Sequence, residues 1–190
     1  DANLEKVLST GEPYDFEAQF VTALGNRKWV RAAGECEQQD GVPVRLFGMF
    51  QDITLEKEAS EQLWKAANFD ELTGLANRRR FNEKLTTAIE EAGTTGRGLA
   101  LMLIDLDNFK EINDTLGHDV GDAILKEIGR RLENEVLEEC FVSRLGGDEF
   151  AIMAAGEQSA DHLQARGQRF LASLKQPIRV GSMHIHIGGT

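Results

Sequence analysis

The chain has only two cysteines, Cys36 and Cys140, far apart and outside any metal-ligand spacing. Two free thiols in a cytosolic setting are expected, ahead of a disulfide between them. Long apolar runs are missing as well. None exceeds the six residues from Leu99 to Ile104, against the roughly 20 a membrane helix needs. No membrane contact is expected from this segment, although an anchor elsewhere in a longer protein is compatible with it. No basic, apolar and small-residue leader opens the chain, and its start at Asp1 reads as the interior of a longer protein. Basic charge is scarce: 21 Lys and Arg face 32 Asp and Glu, a net charge of −11 over 190 residues. Such a chain has no general attraction for nucleic acid or for an anionic membrane. Any phosphate-bearing ligand must be held by a local device, such as a metal ion, a lysine or a helix N-terminus. Internal repeats and low-complexity tracts are also absent.

What is present divides by hydrophobic period. Up to Thr54 the pattern is that of strands and turns. Tyr14 to Leu24 carries Phe16, Ala18, Phe20 and Thr22 on one face, Gly25-Asn26 turns into Lys28 to Cys36, and Asp40-Gly41 turns into Val44 to Asp52. Three antiparallel strands need cover on one face, and nothing in this stretch supplies it. Residues 55–68 then repeat Leu55, Ala59, Leu63 and Ala66/Ala67 at helical spacing. They read as a joining helix or a short coiled coil. From Phe69 onward the composition shifts again. Asn77 is an N-cap for a helix to about Glu91, and Gly93 to Gly98 reads as a loop. Leu99 to Ile104 reads as a strand buried on both faces. Helices are expected over Asn108 to Leu116, ended by Gly117, and over Gly121 to about Val136, the latter with Ile124, Leu125, Ile128 and Leu132 on one face. A hairpin around Gly146-Gly147, a helix from Ala160 to Leu174 and a hairpin around Gly181-Ser182 complete the chain.

Asp105 ends the apolar strand, so its carboxylate emerges where the strand leaves the core, a common place for a ligand site. Asp148 and Glu149 sit at the tip of the Gly146-Gly147 hairpin. If the hairpin lies beside the Asp105 strand, three carboxylates converge, and a hard divalent cation relieves their repulsion. The alternative is an acidic hairpin tip in solvent, since Gly-Gly-Asp is ordinary turn chemistry. Lys110 falls in the first turn of the following helix, where a lysine and a helix N-terminus together favour a polyphosphate. Asn113 and Asp122 supply an amide and a carboxylate able to read a base edge with both donors and acceptors, as guanine has. Each has a plain alternative: a solvated lysine, a local hydrogen-bonder, a first-turn helix acid.

Three runs carry a resemblance: Phe69-Asp70-Glu71-Leu72-Thr73-Gly74-Leu75-Ala76-Asn77-Arg78-Arg79, Asp105-Leu106-Asp107-Asn108-Phe109-Lys110 through Gly121-Asp122, and Arg144-Leu145-Gly146-Gly147-Asp148-Glu149-Phe150. In order and spacing they resemble the GGDEF family of diguanylate cyclases. The resemblance covers residues 69–190. It implies an α+β, palm-like nucleotidyl cyclase domain with a central sheet flanked by helices. It also implies GTP as substrate, Mg²⁺ or Mn²⁺ as cofactor, and a homodimer that joins two GTP into cyclic di-GMP with release of pyrophosphate. By position, Asp105, the Leu106 carbonyl, Asp148 and Glu149 would hold metal. Glu149, Asp148 and Asp105 would be the catalytic acids, with Glu149 assisting deprotonation of the 3′-hydroxyl. Lys110, Phe109 and nearby backbone amides would hold phosphates, and Asn113 and Asp122 would read guanine. Asp107 would support the site from behind, and His118 would be structural. His184 and His186 alternate on a strand with no third ligand in view.

Two departures from the family pattern follow. Where product-inhibited members carry Arg-x-x-Asp, this chain has Leu137-Glu138-Glu139-Cys140. No feedback through that site is expected, and product-inhibition kinetics on the whole protein would expose an error here. The family also continues past Thr190 through a strand and a helix with basic phosphate contacts. Residues 1–190 alone are therefore expected to bind nucleotide weakly and turn over poorly. Residues 1–54 resemble the second half of a PAS sensor, carried by Trp29-Val30, the Asp40-Gly41 turn and Gly48-Met49-Phe50-Gln51-Asp52-Ile53-Thr54, and this adds an antiparallel half-sheet. Gln176-Pro177-Ile178 onward looks like cyclase domains that precede an EAL phosphodiesterase. The expected division is 1–54 sensor half, 55–68 joining helix and 69–190 cyclase domain. The leading expectation is a PAS-regulated diguanylate cyclase. The alternative is a non-catalytic GTP-binding module controlling an attached EAL phosphodiesterase.

Overall fold

Alternating side chains build the first sheet. A computed structural model describes residues 10–39, 41–135, 140–156 and 160–190, and the chain divides into two compact units, Asp1–Trp64 and Lys65–Thr190. In the first unit, β1 (Tyr14–Val21), β2 (Arg27–Gln39) and β3 (Val42–Asp52) form an antiparallel sheet in the order β1-β2-β3. Tyr14, Phe16 and Ala18 lie opposite Gly34, Ala32 and Val30, and the Phe20 ring meets Phe50 edge-on at 5.8 Å. That apolar face is only partly covered: Phe20, Leu46 and Phe50 are exposed, in keeping with a sheet that needs cover. The opposite face mixes apolar residues such as Phe47 and Met49 with charged ones. Arg31 pairs with Asp15, and Lys57, in the helix α1 (Thr54–Asn68), pairs with Glu17 and lies over the Trp29 ring. No residue of α1 is buried; Leu55 and Leu63 stand 82% and 72% exposed. The joining helix thus forms over the expected length with its apolar stripe open.

The second unit runs α2 (Arg78–Thr95), β4 (Leu99–Asp105), α3 (Phe109–Leu116), α4 (His118–Glu135), β5 (Cys140–Gly146), β6 (Glu149–Ala155), α5 (Ala160–Leu174), β7 (Ile178–Val180) and β8 (Met183–Ile185). Its three-stranded antiparallel sheet has the order β4-β6-β5, so β6 is central. Phe150 and Ile152 join the main core with Ile124, Ile128 and Leu132 of α4 and Phe170 and Leu174 of α5. Ala151 and Met153 point to the other face and meet Phe81 and Ala88 of α2. Each large apolar side chain buried in this way contributes roughly 1.5–3 kcal/mol. The mixed helix-and-strand architecture is the expected α+β one.

Three local expectations are corrected. β4 is not buried on both faces, for Leu101 and Leu103 are 47% and 61% exposed. A continuous apolar run cannot say whether its strand is central, and here the doubly covered strand is β6. Gly93 lies inside α2, not in a loop. The terminator is Gly96, which adopts φ 69° and donates its N–H to the Ala92 carbonyl, the usual left-handed helix end. α4 starts at His118 rather than Gly121. Val136, together with Leu137, Glu138 and Glu139 of the altered product-site motif, lies outside the described residues. Cys36 and Cys140 are not joined in a disulfide.

Candidate functional site

The candidate site begins where β4 ends. Asp105 is the last residue of β4 and the register partner of Glu149, the first residue of β6. The chain's final residues fix this corner: the Asp105 N–H donates to the Thr190 carbonyl, the Thr190 N–H donates back to Asp105, and the Asp107 N–H donates to Gly188. Beyond Asp105 the backbone turns sharply. Asn108 takes φ 57°, the only positive φ outside glycine among the described residues, a conformation asparagine tolerates better than most residues. α3 then starts at Phe109. Across from it, Gly146 (φ 139°) and Gly147 (φ 56°) close the β5–β6 hairpin, and Asp148 and Glu149 follow from that turn. A side chain at Gly147 would be strained, and so would one at Gly146.

Electrostatics tie these acids together. The Asp105 carboxyl is pushed above the usual aspartate range, first by partial desolvation and then by the charges of Asp148, Glu149 and Asp107. The hairpin places Glu149 in register with Asp105, with Asp148 next to it in the chain. They do not form a finished ligand shell: among the described residues no three Asp, Glu, His or Cys side chains are gathered for a metal. Glu149 is turned to a partner instead. Its Oε2 accepts from Arg78 Nη2 at 2.8 Å, while Arg78 Nε donates to the Leu145 carbonyl at 2.8 Å.

The second group sits on the α3–α4 pair. Lys110 is exposed in the first turn of α3. Asn113 packs against Gly121, where an added Cβ would collide with the Asn113 side-chain oxygen and approach the Phe109 ring at 3.2 Å. Asp122, the next residue, is exposed on α4. Phe109 itself is a core residue at 7% exposure, so only its backbone remains for a ligand. The Leu106 side chain is buried, and its carbonyl accepts a long 3.4 Å bond from the Phe109 N–H. Asp107 Oδ1 takes a long contact from Thr190 Oγ1. His118, His184 and His186 are exposed.

Sequence reasoning missed the two arginines that organise the hairpin. Arg78 is one. Arg144 is the other: it donates to the Gly147 carbonyl through Nε and Nη2 and to Asp70 Oδ1 through Nη1 at 2.9 Å. Asp70 also accepts from the Thr73 N–H and hydroxyl. The signal lay in the motif runs themselves, where Asp70, Thr73, Arg78 and Arg144 stand beside residues assigned to chemistry. Hydrogen-bonding types recurring at a turn and at a helix start suggest local caps, and nothing in one sequence says that two such caps meet across 74 positions.

Residues 67–190 match the family described as diguanylate cyclase, GGDEF domain. Among curated relatives, the cyclic di-GMP phosphodiesterase NbdA of Pseudomonas aeruginosa is 41% identical over 121 residues, 63% of this chain and 15% of that protein. The diguanylate cyclase TpbB of the same species is 39% identical over 124 residues, 65% of this chain and 28% of that protein. A sensory box/GGDEF family protein from Caulobacter crescentus has a crystal structure that superposes with a TM-score of 0.61 at 38% identity, covering 65% of this chain and 80% of that one. The chain therefore spans less than a third of the length of these curated relatives.

Proposed function

This chain belongs to the GGDEF family, and from that premise we propose that it is the cyclase portion of a diguanylate cyclase, condensing two GTP into cyclic di-GMP. What carries the reading is the corner at which Asp105 lies in register with Glu149 beside Asp148, with partial desolvation first and the neighbouring acids second pushing the Asp105 carboxyl up. Acids placed against their own electrostatics suit a divalent cation. Carboxylates, with the Leu106 carbonyl beside them, are the hard oxygen donors that Mg²⁺ or Mn²⁺ prefers. Asp105, Asp148, Glu149 and that carbonyl would hold such a cation, which would supply charge neutralisation at the triphosphate.

The chain's own residues do the rest. Lys110 and the backbone N–H groups opening α3 hold the phosphates at a helix N-terminus. Asn113 and Asp122 receive the guanine edge. In each half-reaction a 3′-oxygen bonds to the partner nucleotide's α-phosphorus while the bond to pyrophosphate breaks, and Glu149 takes up the hydroxyl proton. Each domain presents one GTP, so two copies of this chain must meet. The exposed stripe of α1 is available to hold them together, and the first unit is the regulatory PAS half.

Incubation of the whole protein with GTP and Mg²⁺, with products separated by chromatography, is expected to give cyclic di-GMP and pyrophosphate. Recovery of unchanged GTP from a protein that nevertheless binds it would reject the cyclase reading. One observation favours such an outcome: NbdA, a relative at 41% identity, is a phosphodiesterase, which fits a GTP-binding module controlling an attached EAL domain. The guanine assignment has its own test. Gly121→Ala forces the Asn113 side chain out of its place, and GTP affinity by calorimetry is expected to fall about tenfold, the loss of roughly one good hydrogen bond. Unchanged GTP affinity in Gly121→Ala would remove Asn113 from that role.

A further inference from the structure

Arg78 is the first residue of α2, and both ends of its guanidinium edge are occupied. Nε holds the Leu145 carbonyl and Nη2 holds Glu149 Oε2, each at 2.8 Å. Glu149 is the register partner of Asp105, so the arginine grips the one acid of the corner that has a cationic partner among the described residues. The pair is open to water, with side chains 58% and 53% exposed, and such exposed pairs contribute little. A contact this weak is no structural anchor. It is a latch that a stronger cation can open.

We propose that Arg78 is a positioning residue that competes with the divalent cation for Glu149. The proposal rests on the metal reading of the corner given above. With no metal bound, the guanidinium neutralises Glu149 and holds it by the hairpin; on metal binding the carboxylate exchanges this partner for the ion. The carbonyl contact to Leu145 keeps Arg78 against the hairpin after Glu149 leaves, so the latch can close again. Its position is set from behind as well. Asn77, the preceding residue, donates its N–H to the Asn68 carbonyl and its Nδ2 to the Ala67 carbonyl, both in the last turn of α1. A displacement of that turn therefore reaches the cation site through two consecutive residues, Asn77 and Arg78.

The test is Mn²⁺ binding to the protein without nucleotide, read from the free-ion signal in electron paramagnetic resonance. Arg78→Gln is expected to bind Mn²⁺ about threefold more tightly than the unsubstituted chain, the size of one exposed ion pair. Arg78→Lys, which keeps the charge, is expected to stay near the original affinity. In a Glu149→Gln background Arg78→Gln is expected to change nothing, because the competed group is gone. A merely structural role would lower thermal stability without tightening Mn²⁺, and that result overturns the proposal. So does an Arg78→Gln effect that persists with Glu149→Gln. If Asp105→Asn abolishes Mn²⁺ binding while Arg78→Gln leaves it unchanged, only the latch falls. If the unsubstituted chain binds Mn²⁺ no better than Asp105→Asn, the metal reading of the corner falls, and the latch with it.

Discussion

Asp105→Asn is expected to cut cyclic di-GMP formation at least 100-fold while leaving the metal-free protein as stable as before or slightly more so. The two effects have one origin. The Asp105 carboxyl is pushed up first by partial desolvation and then by the charges of Asp148, Glu149 and Asp107, so its ionised form is disfavoured in the folded chain. Removing that charge relieves repulsion without opening a cavity, since asparagine has the same shape and the residue is exposed. Substitutions of groups that merely support metal ligands cost 10–100-fold, and losing a ligand outright is expected to exceed the top of that range. The measurement pairs initial rates under saturating GTP and Mg²⁺ with thermal melting in chelator. Mg²⁺ and GTP are expected to raise the melting temperature of the unsubstituted protein and not that of the variant, because a ligand stabilises only the state that binds it. An Asp105→Asn protein that kept its rate would take the metal out of the corner. A large drop in stability would instead make Asp105 a structural residue.

Much of this corner was legible because its parts are local. A strand that ends in an acid, a Gly-Gly hairpin followed by two acids, and a lysine in a first helical turn are each short-range patterns, and register placed them together. Asn77 was readable as an N-cap for the same reason; its Oδ1 does accept the Arg80 N–H at 3.0 Å. What could not be read depended on pairing between distant strands. Leu99 to Ile104 and Phe150 to Ala155 are both unbroken apolar runs, and only the order β4-β6-β5 makes the second one central. Gly93 misled for a different reason. A glycine inside a helix costs about 1 kcal/mol and reads as a stop, but three residues later Gly96 takes the left-handed turn that ends the helix. The core role of Phe109 was hidden by its motif neighbours, which drew it into the ligand site when only its backbone faces that way. The roles of Arg78 and Arg144 are not legible in their motif runs, since an arginine's partner across the fold leaves no mark on its own sequence neighbourhood.

The largest stability effect is expected at Arg144 and Asp70. Here, unlike at Arg78, the pair is shielded: the side chains are 10% and 24% exposed. Burial alone would raise the Asp70 carboxyl, but hydrogen bonds from the Thr73 hydroxyl and N–H and from Arg144 outweigh it and hold the group below the usual aspartate range. Arg144→Met removes one charged partner from Asp70 and two hydrogen bonds from the Gly147 carbonyl, leaving Thr73 as the remaining support. A hydrogen bond to a charged group contributes about 1.5–3 kcal/mol, so a loss of about 2–3 kcal/mol at neutral pH is expected. The sign of its pH dependence follows from the depressed carboxyl. A group whose folded-state pKa is lowered stabilises the protein fully above its unfolded pKa, about 3.9 for aspartate, and loses that contribution as pH falls through the folded value. The gap between the unsubstituted chain and Asp70→Asn, measured by urea unfolding, is therefore expected to be constant from pH 7 to about 5 and to close below about pH 4. A gap that widened on acidification would mean that Asp70 is protonated in the fold, and the clamp between the Asp70 turn and the hairpin would then not be an ion pair. Because the same Arg144 guanidinium holds the Gly147 carbonyl, one residue before Asp148, Arg144→Met is also expected to loosen the acidic corner, lowering cyclic di-GMP formation even at temperatures where the protein stays folded.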